Sequence, residues 1–146
     1  MITITIIGLD QYAIGTYSRL HTKKLADLFE VKSDDVFFYA PNSFYYHEGV
    51  DQTSWNTLVR VHAPRQVEML ESKITTYLLS TLIEFGINIT IEFFYFDLKN
   101  SHTHINNQYP RFITEQNNIV IDDEHDEEEE EIYEGNVFAD IEEKVK

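Results

Sequence analysis

The sequence predicts an α/β (α+β) subunit: two copies of a strand–helix–strand unit forming a four-stranded mixed sheet, with both helices on one face. Three observations carry this. A long amphipathic helix in the middle of the chain is flanked by two strand-like runs. The N-terminal half repeats the same order of elements. The last strands of the two halves also resemble each other, Val36-Phe37-Phe38-Tyr39 in the first and Glu92-Phe93-Phe94-Tyr95 in the second. A ferredoxin-like sandwich has the same element order and differs in strand direction and strand order, so periodicity leaves it as the alternative.

Taken in order, Ile2–Ile7 alternates Ile with Thr and reads as a strand. Asp10 is placed to cap a helix that begins near Gln11 or Tyr12. Ile14, Tyr17, His21, Leu25 and Leu28 share one face of that helix as far as Glu30, although Gly15 weakens its first turn. Ser33-Asp34-Asp35 reads as a turn. Val36–Ala40 is a second strand, with Asn42–His47 as a candidate extension beyond a kink at Pro41, and Glu48–Ser54 is a polar loop with one glycine. Asn56–Ala63 is a third strand. The central helix, Pro64–Phe85, brings Val67, Leu70, Ile74, Leu78, Thr81, Leu82 and Phe85 to one side. Pro64 suits a first helical turn and Gly86 a left-handed stop. Asn88–Asp97 is rich in β-branched and aromatic residues and closes the second unit as a strand. Strand, helix and strand in this order favour a right-handed parallel crossover.

The two faces of these strands differ. Thr57, Val59, Val61 and Ala63 alternate with Leu58, Arg60 and His62, and Ile89, Ile91, Phe93 and Tyr95 alternate with Thr90, Glu92, Phe94 and Phe96. One face is apolar enough to lie under helices. The other mixes Arg60, His62 and Glu92 with aromatic rings. That mixture is too polar for an ordinary core and too aromatic for bare solvent, so a second subunit is expected to cover it.

A chain of 146 residues with 42% hydrophobic residues supports one domain and a tail. The absence of cysteine excludes disulfides, thiolate zinc sites and cysteine nucleophiles. No basic-then-apolar leader opens the chain and no apolar run approaches a membrane span, so the expectation is a cytoplasmic protein with no membrane contact. The net charge of −15 is uneven. Residues 1–121 hold 13 acidic and 9 basic residues, a balance of −4, whereas residues 122–146 hold 13 acidic residues and 2 Lys, a balance of −11. With no basic stripe, nucleic-acid binding is not expected. The globular domain is assigned to residues 1–112 and an acidic, largely disordered tail to residues 113–146. Within these stretches Lys99–Phe112 reads as a small hairpin or arm, Asn118–Ile121 as a short strand, Asp122–Glu131 as a disordered charge block and Asn136–Val145 as a marginal helix.

The βαβ repeat, Asn42-Ser43 after the second strand, the glycine loop and Val59-Arg60-Val61-His62-Ala63-Pro64-Arg65 leading into the long helix together resemble an uncharacterised bacterial family, domain of unknown function 1904. That family resembles the tautomerase (macrophage migration inhibitory factor-like) superfamily in fold. The resemblance covers roughly residues 1–112. It implies a homotrimer whose sheets line a central barrel. Tautomerases of this fold use an N-terminal proline amine as base, and here the position after Met1 is Ile2, so the proline is missing. A bulky second residue is expected to leave Met1 in place, and its α-amine is the base that remains. The resemblance therefore implies a tautomerase-like oligomer in a binding or structural role. The alternative is a tautomerase or isomerase acting on a small carboxylate-bearing carbonyl compound.

Several residues have two readings each. Arg65, at a strand-to-helix junction, suits a carboxylate or phosphate, with Arg60 and Asn42 as further candidates for a small anionic ligand, but a lone arginine more often serves a surface ion pair. His62, with Arg60 and Glu92 on the same face, suits general acid/base chemistry, whereas the competing reading is a salt-bridged subunit interface. Met1 and His62 are the catalytic candidates. His21 is expected in a hydrogen-bonded core or interface position. His102 and His104 lack a third fixed ligand, so no metal is expected. His47-Glu48 and Tyr109-Pro110-Arg111 are candidate pocket linings. No phosphate-binding glycine motif, serine elbow or paired-histidine zinc motif is present, and no cofactor is expected.

Overall fold

A computed structural model describes residues 1–117. The contacts divide the chain into two compact units, Met1–Thr103 and His104–Lys146. In the first unit β1 is Ile2–Ile7, α1 is Gln11–Phe29 and β2 is Val36–Tyr39. A small hairpin follows, β3 (Tyr46–His47) with β4 (Val50–Asp51). Then come β5 (Asn56–Pro64), a 3-10 segment over Arg65–Leu70, α2 (Glu71–Leu82) and β6 (Asn88–Phe96). The main sheet has the order β2-β1-β5-β6. Within each half the strands are parallel, β1 with β2 and β5 with β6, and the halves join through the antiparallel pair β1/β5. These parallel pairs separate the fold from the ferredoxin-like alternative, whose sheet is laid out differently.

The sequence explains each boundary locally. Asp10 caps α1: its carboxylate accepts hydrogen bonds from the N–H groups of Tyr12 (2.8 Å) and Ala13 (3.3 Å). The helix stops at Glu30, which takes a left-handed conformation (φ 58°) and donates its N–H back to Ala26 and Asp27. Ile2, Ile4 and Ile6 of β1 and Val59, Val61 and Ala63 of β5 are buried against Ile14, Tyr17, Leu25 and Phe29 of α1 and Ile74, Leu78 and Leu82 of α2. Each such large side chain contributes roughly 1.5–3 kcal/mol by leaving water. The two helices are also tied by polar contacts. The Tyr17 hydroxyl lies 2.6 Å from Thr81 Oγ1, and His21 Nδ1 lies 2.7 Å from the Tyr77 hydroxyl. His21 thus has the hydrogen-bonded position expected for it, with its ring 4.3 Å from that of Tyr17.

Three local expectations change. Pro64 ends β5 in an extended conformation (φ −60°, ψ 143°), and a 3-10 segment precedes the α-helix, so the helix proper starts at Glu71. Gly86 does not take a positive φ; its role is close approach, since a Cβ there would lie 2.6 Å from Thr57 Oγ1. Asn42–His47 does not prolong β2. Its last two residues instead pair with Val50–Asp51 around Glu48 and Gly49, both at positive φ (46° and 78°) as an I′-type hairpin turn requires.

In the second unit the described part, 104–117, is made of turns. Asn117 donates its side-chain amide to the Phe112 carbonyl (3.0 Å), and the Arg111 guanidinium sits 5.1 Å from the Phe112 ring centre. No strand forms over 101–117, where a hairpin or arm was one reading. The short strand, charge block and helix read from 118 onward lie outside the described residues.

Candidate functional site

The register builds the open face of the sheet row by row. One row runs Phe37, Thr3, His62, Phe94; the next runs Tyr39, Thr5, Arg60, Glu92; a third runs Ile7, Leu58, Thr90. Arg60 Nε lies 3.4 Å from Glu92 Oε1, with both side chains a little under half exposed. An ion pair that open to solvent contributes about 0–1 kcal/mol to folding. His62 stacks on Phe94, ring centres 4.9 Å apart and planes 12° from parallel. Glu92 is therefore across from Arg60, while the neighbour of His62 is an aromatic ring. Among the described residues, no carboxylate lies beside His62 to orient the imidazole of a general acid/base.

Arg65 opens the 3-10 segment after β5. Its Nε is 3.2 Å from Asp97 Oδ1 and its Nη1 is 3.7 Å from Glu68 Oε2. Two carboxylates already face the guanidinium, so an anionic ligand would have to displace one of them or meet its repulsion. Close by in sequence, the Tyr95 hydroxyl donates to Glu71 Oε2 at 2.5 Å. Burial pushes the Tyr95 phenol well above its ordinary value, and the hydrogen bond and charge of Glu71 push it further. Tyr95, Glu71, Glu68 and Asp97 are partners that sequence reasoning missed. For Asp97 the signal is the β5/β6 register itself. Each β5 residue pairs with the residue 32 positions later, and Arg60–Glu92 and Arg65–Asp97 both have that spacing.

Met1 precedes β1 and is half-exposed. Extending the β1/β5 register from Thr3↔His62 brings Met1 level with Pro64, so the N-terminal amine and Arg65 share one end of the sheet. Asn42 is exposed and follows β2 out of the sheet at the opposite end, because β2 runs parallel to β1. The register thus separates Asn42 from Arg65 instead of gathering the anion candidates into one cluster. Among the described residues no three His, Asp or Glu side chains come together as a metal site.

A cavity of about 390 Å³ opens at the end of the sheet away from Met1. His47, read earlier as a pocket lining, lines it together with Tyr45, Tyr46, Asn56, Asn88 and Thr90. None of Met1, Asn42, Arg60, His62 or Arg65 does.

No protein-family model and no curated protein matches the sequence. Solved structures do resemble the fold. A domain of unknown function (DUF1904) from Sebaldella termitidis superposes with a TM-score of 0.63 at 13% identity, covering 70% of this chain and 95% of that one. A macrophage migration inhibitory factor homologue from Prochlorococcus marinus gives 0.55 at 13% identity, covering 70% and 94%. The macrophage migration inhibitory factor-like protein of Entamoeba histolytica gives 0.54 at 11% identity, covering 70% and 93%. No helix among the described residues is long and apolar enough to cross a membrane. With its duplicated β-α-β units and sheet order, this chain has the tautomerase (macrophage migration inhibitory factor-like) fold, in the form also seen in a structure of domain of unknown function 1904.

Proposed function

We propose that this chain is a cytoplasmic subunit of a tautomerase-fold homotrimer with a binding or structural role, and that it does not carry out N-terminal-proline chemistry. The observation that carries the reading is the open sheet face. Tyr39 (58% exposed) and Phe94 (43% exposed) lie there beside the Arg60–Glu92 pair, on the side of the sheet opposite α1 and α2. Copies of the same face meeting one another would remove the rings from water and strengthen the ion pair by excluding solvent. The catalytic half of the family resemblance finds little support: Ile2 stands where the proline would be, His62 faces a phenyl ring, and Arg65 is matched by Asp97 and Glu68. The acidic residues 113–146 serve in this proposal as a solubilising extension.

Sedimentation velocity tests the assembly. The expected result is a particle about three times the monomer mass at micromolar concentration, and a lone monomer overturns the proposal. A keto–enol assay with phenylpyruvate tests the chemistry. No turnover above buffer is expected. Turnover that is lost in Arg65→Ala would replace the binding role with an isomerase acting on a carboxylate-bearing carbonyl compound.

A further inference from the structure

We propose that the cavity at the Asn56–Asn88 end of the sheet binds a neutral, polyhydroxylated ligand of the saccharide class. This goes beyond the assembly role, because the cavity is lined by none of the side chains of the Arg60 and His62 rows.

The walls are built in advance. The Ser54 N–H donates to the Gly8 carbonyl at 2.7 Å and the Gln52 N–H to the Tyr45 carbonyl at 2.6 Å, fastening the loop around the β3–β4 hairpin to the end of β1. The Asn88 N–H donates to the Trp55 carbonyl at 2.8 Å, which holds the start of β6 against the start of β5. Inside, the Asn56 amide donates to Gln52 Oε1 (2.7 Å) and the Gln52 amide donates to the Val50 carbonyl (3.1 Å), so both amide planes are oriented.

The lining is polar and carries no Asp, Glu, Lys or Arg. A phosphate, carboxylate or ammonium group entering it would lose water without gaining a counter-charge. What it offers instead is three amides, two hydroxyls, two phenols and an imidazole. Among the described residues the Asn88 amide, the Thr90 hydroxyl and the phenols of Tyr45 and Tyr46 have no hydrogen-bond partner. Amides present donor and acceptor side by side, and hydroxyls are both at once, which matches vicinal alcohols. The rings of Tyr45 and Tyr46 supply flat apolar surface for the C–H face of a pyranose. The volume falls in the lower part of the range typical of small-molecule sites, roughly 300–1,000 Å³.

Trp55, the chain's single tryptophan, lies between the loop and Asn56 and reports on this end of the sheet. The test titrates the full chain with glucose, N-acetylglucosamine and tri-N-acetylchitotriose, with glucuronate as the charged counterpart, following Trp55 emission and heat. The expected result is a saturable response to at least one neutral sugar with a midpoint below about 10 mM, and at least ~5-fold weaker binding of glucuronate. Response to the trisaccharide without the monosaccharides assigns the site to an oligosaccharide end; response to the monosaccharides assigns it to free sugar. Asn88→Ala and Thr90→Val alter exposed positions and should each weaken binding about 5-fold or more, with the circular dichroism spectrum unchanged. The proposal is overturned if no neutral sugar saturates below about 50 mM, if glucuronate binds equally well, or if neither variant changes the midpoint. Assembly is read separately by sedimentation, so failure here leaves the trimer standing, and failure of the trimer leaves this binding measurable.

Discussion

The contact between Gly86 and Thr57 makes a sharp test because its two halves have opposite signs. A Cβ on residue 86 would meet Thr57 Oγ1 at 2.6 Å, while the next atoms, Thr57 Cβ and Leu9 Cδ2, stand at an ordinary 3.6 Å. Overpacking of this kind costs about 1–3 kcal/mol. Gly86 is not at positive φ, so alanine meets no backbone strain there and by itself would gain about 0.4–1 kcal/mol by restricting the unfolded chain. Thr57 is 2% exposed and its hydroxyl has no partner among the described residues. Thr57→Ala therefore removes an unpaired polar atom, which helps by about 1–3 kcal/mol, and one buried methyl, which costs about 1 kcal/mol. The single Gly86→Ala should thus destabilise by about 1–2 kcal/mol, net of the entropic gain, and the same change in a Thr57→Ala background should be neutral or stabilising. Urea unfolding of the four proteins at one concentration measures this. With a slope of about 2 kcal/mol/M, the Gly86→Ala midpoint should fall by roughly 0.5–1 M and recover in the double variant. If the two changes add within about 0.5 kcal/mol, the steric account of this glycine is wrong.

Other perturbations follow from single features. Asp10→Ala removes the acceptor for two N–H groups of α1 and should lower stability by about 1 kcal/mol; an unchanged melting temperature would contradict the cap. Gly8→Ala places a side chain at φ 89° with its Cβ 2.3 Å from the Asn56 carbonyl oxygen, and should cost about 3 kcal/mol or more by combining strain with a backbone clash. Wild-type urea stability in this variant would refute that geometry. Burial raises the Tyr17 phenol from an ordinary 10.0 to about 12, against the partly opposing hydrogen bond to Thr81. Since the folded-state value is the higher one, the contribution is complete below pH 10 and is lost as pH rises towards 12, by up to ~1.4 kcal/mol per pH unit. Alkaline unfolding at two or more pH values, compared with Tyr17→Phe, checks the sign: the variant should lose less stability over that interval.

Much of the fold was readable because hydrophobic period and capping chemistry are local. Asp10 announced α1, and the alternating burial of β5 followed from Thr57, Val59, Val61 and Ala63. Periodicity alone did not give strand direction, because a residue alternates faces identically in parallel and antiparallel pairs; the parallel β5/β6 pair followed instead from the strand–helix–strand order. Pro64 misled for a related reason: its fixed φ fits both the first turn of a helix and the end of a strand, and only the pairing with Phe96 decides for the strand. Gly86 misled because glycine serves two purposes, left-handed backbone and close approach, and the second depends on Thr57, far away in sequence. The polar face was legible as a face. The division of its charges was not, since the 32-residue register that gives Glu92 to Arg60 and Asp97 to Arg65 leaves no trace in either segment alone. The cavity depends on tertiary contacts of the hairpin, and of its lining only His47 reads as a pocket residue in the sequence.

β1, which precedes β2 and β5 in the chain, ends up in the interior of the sheet with a neighbour on each side. It gains β2 within a short stretch of synthesis but must wait for β5 before its other edge is closed. Until then an Ile-rich ladder stands unprotected, and a nascent chain held at that stage would be a target for chaperones or for pairing with its siblings. Trimming the first seven residues would not fray this protein from one margin; it would cut the sheet down its middle.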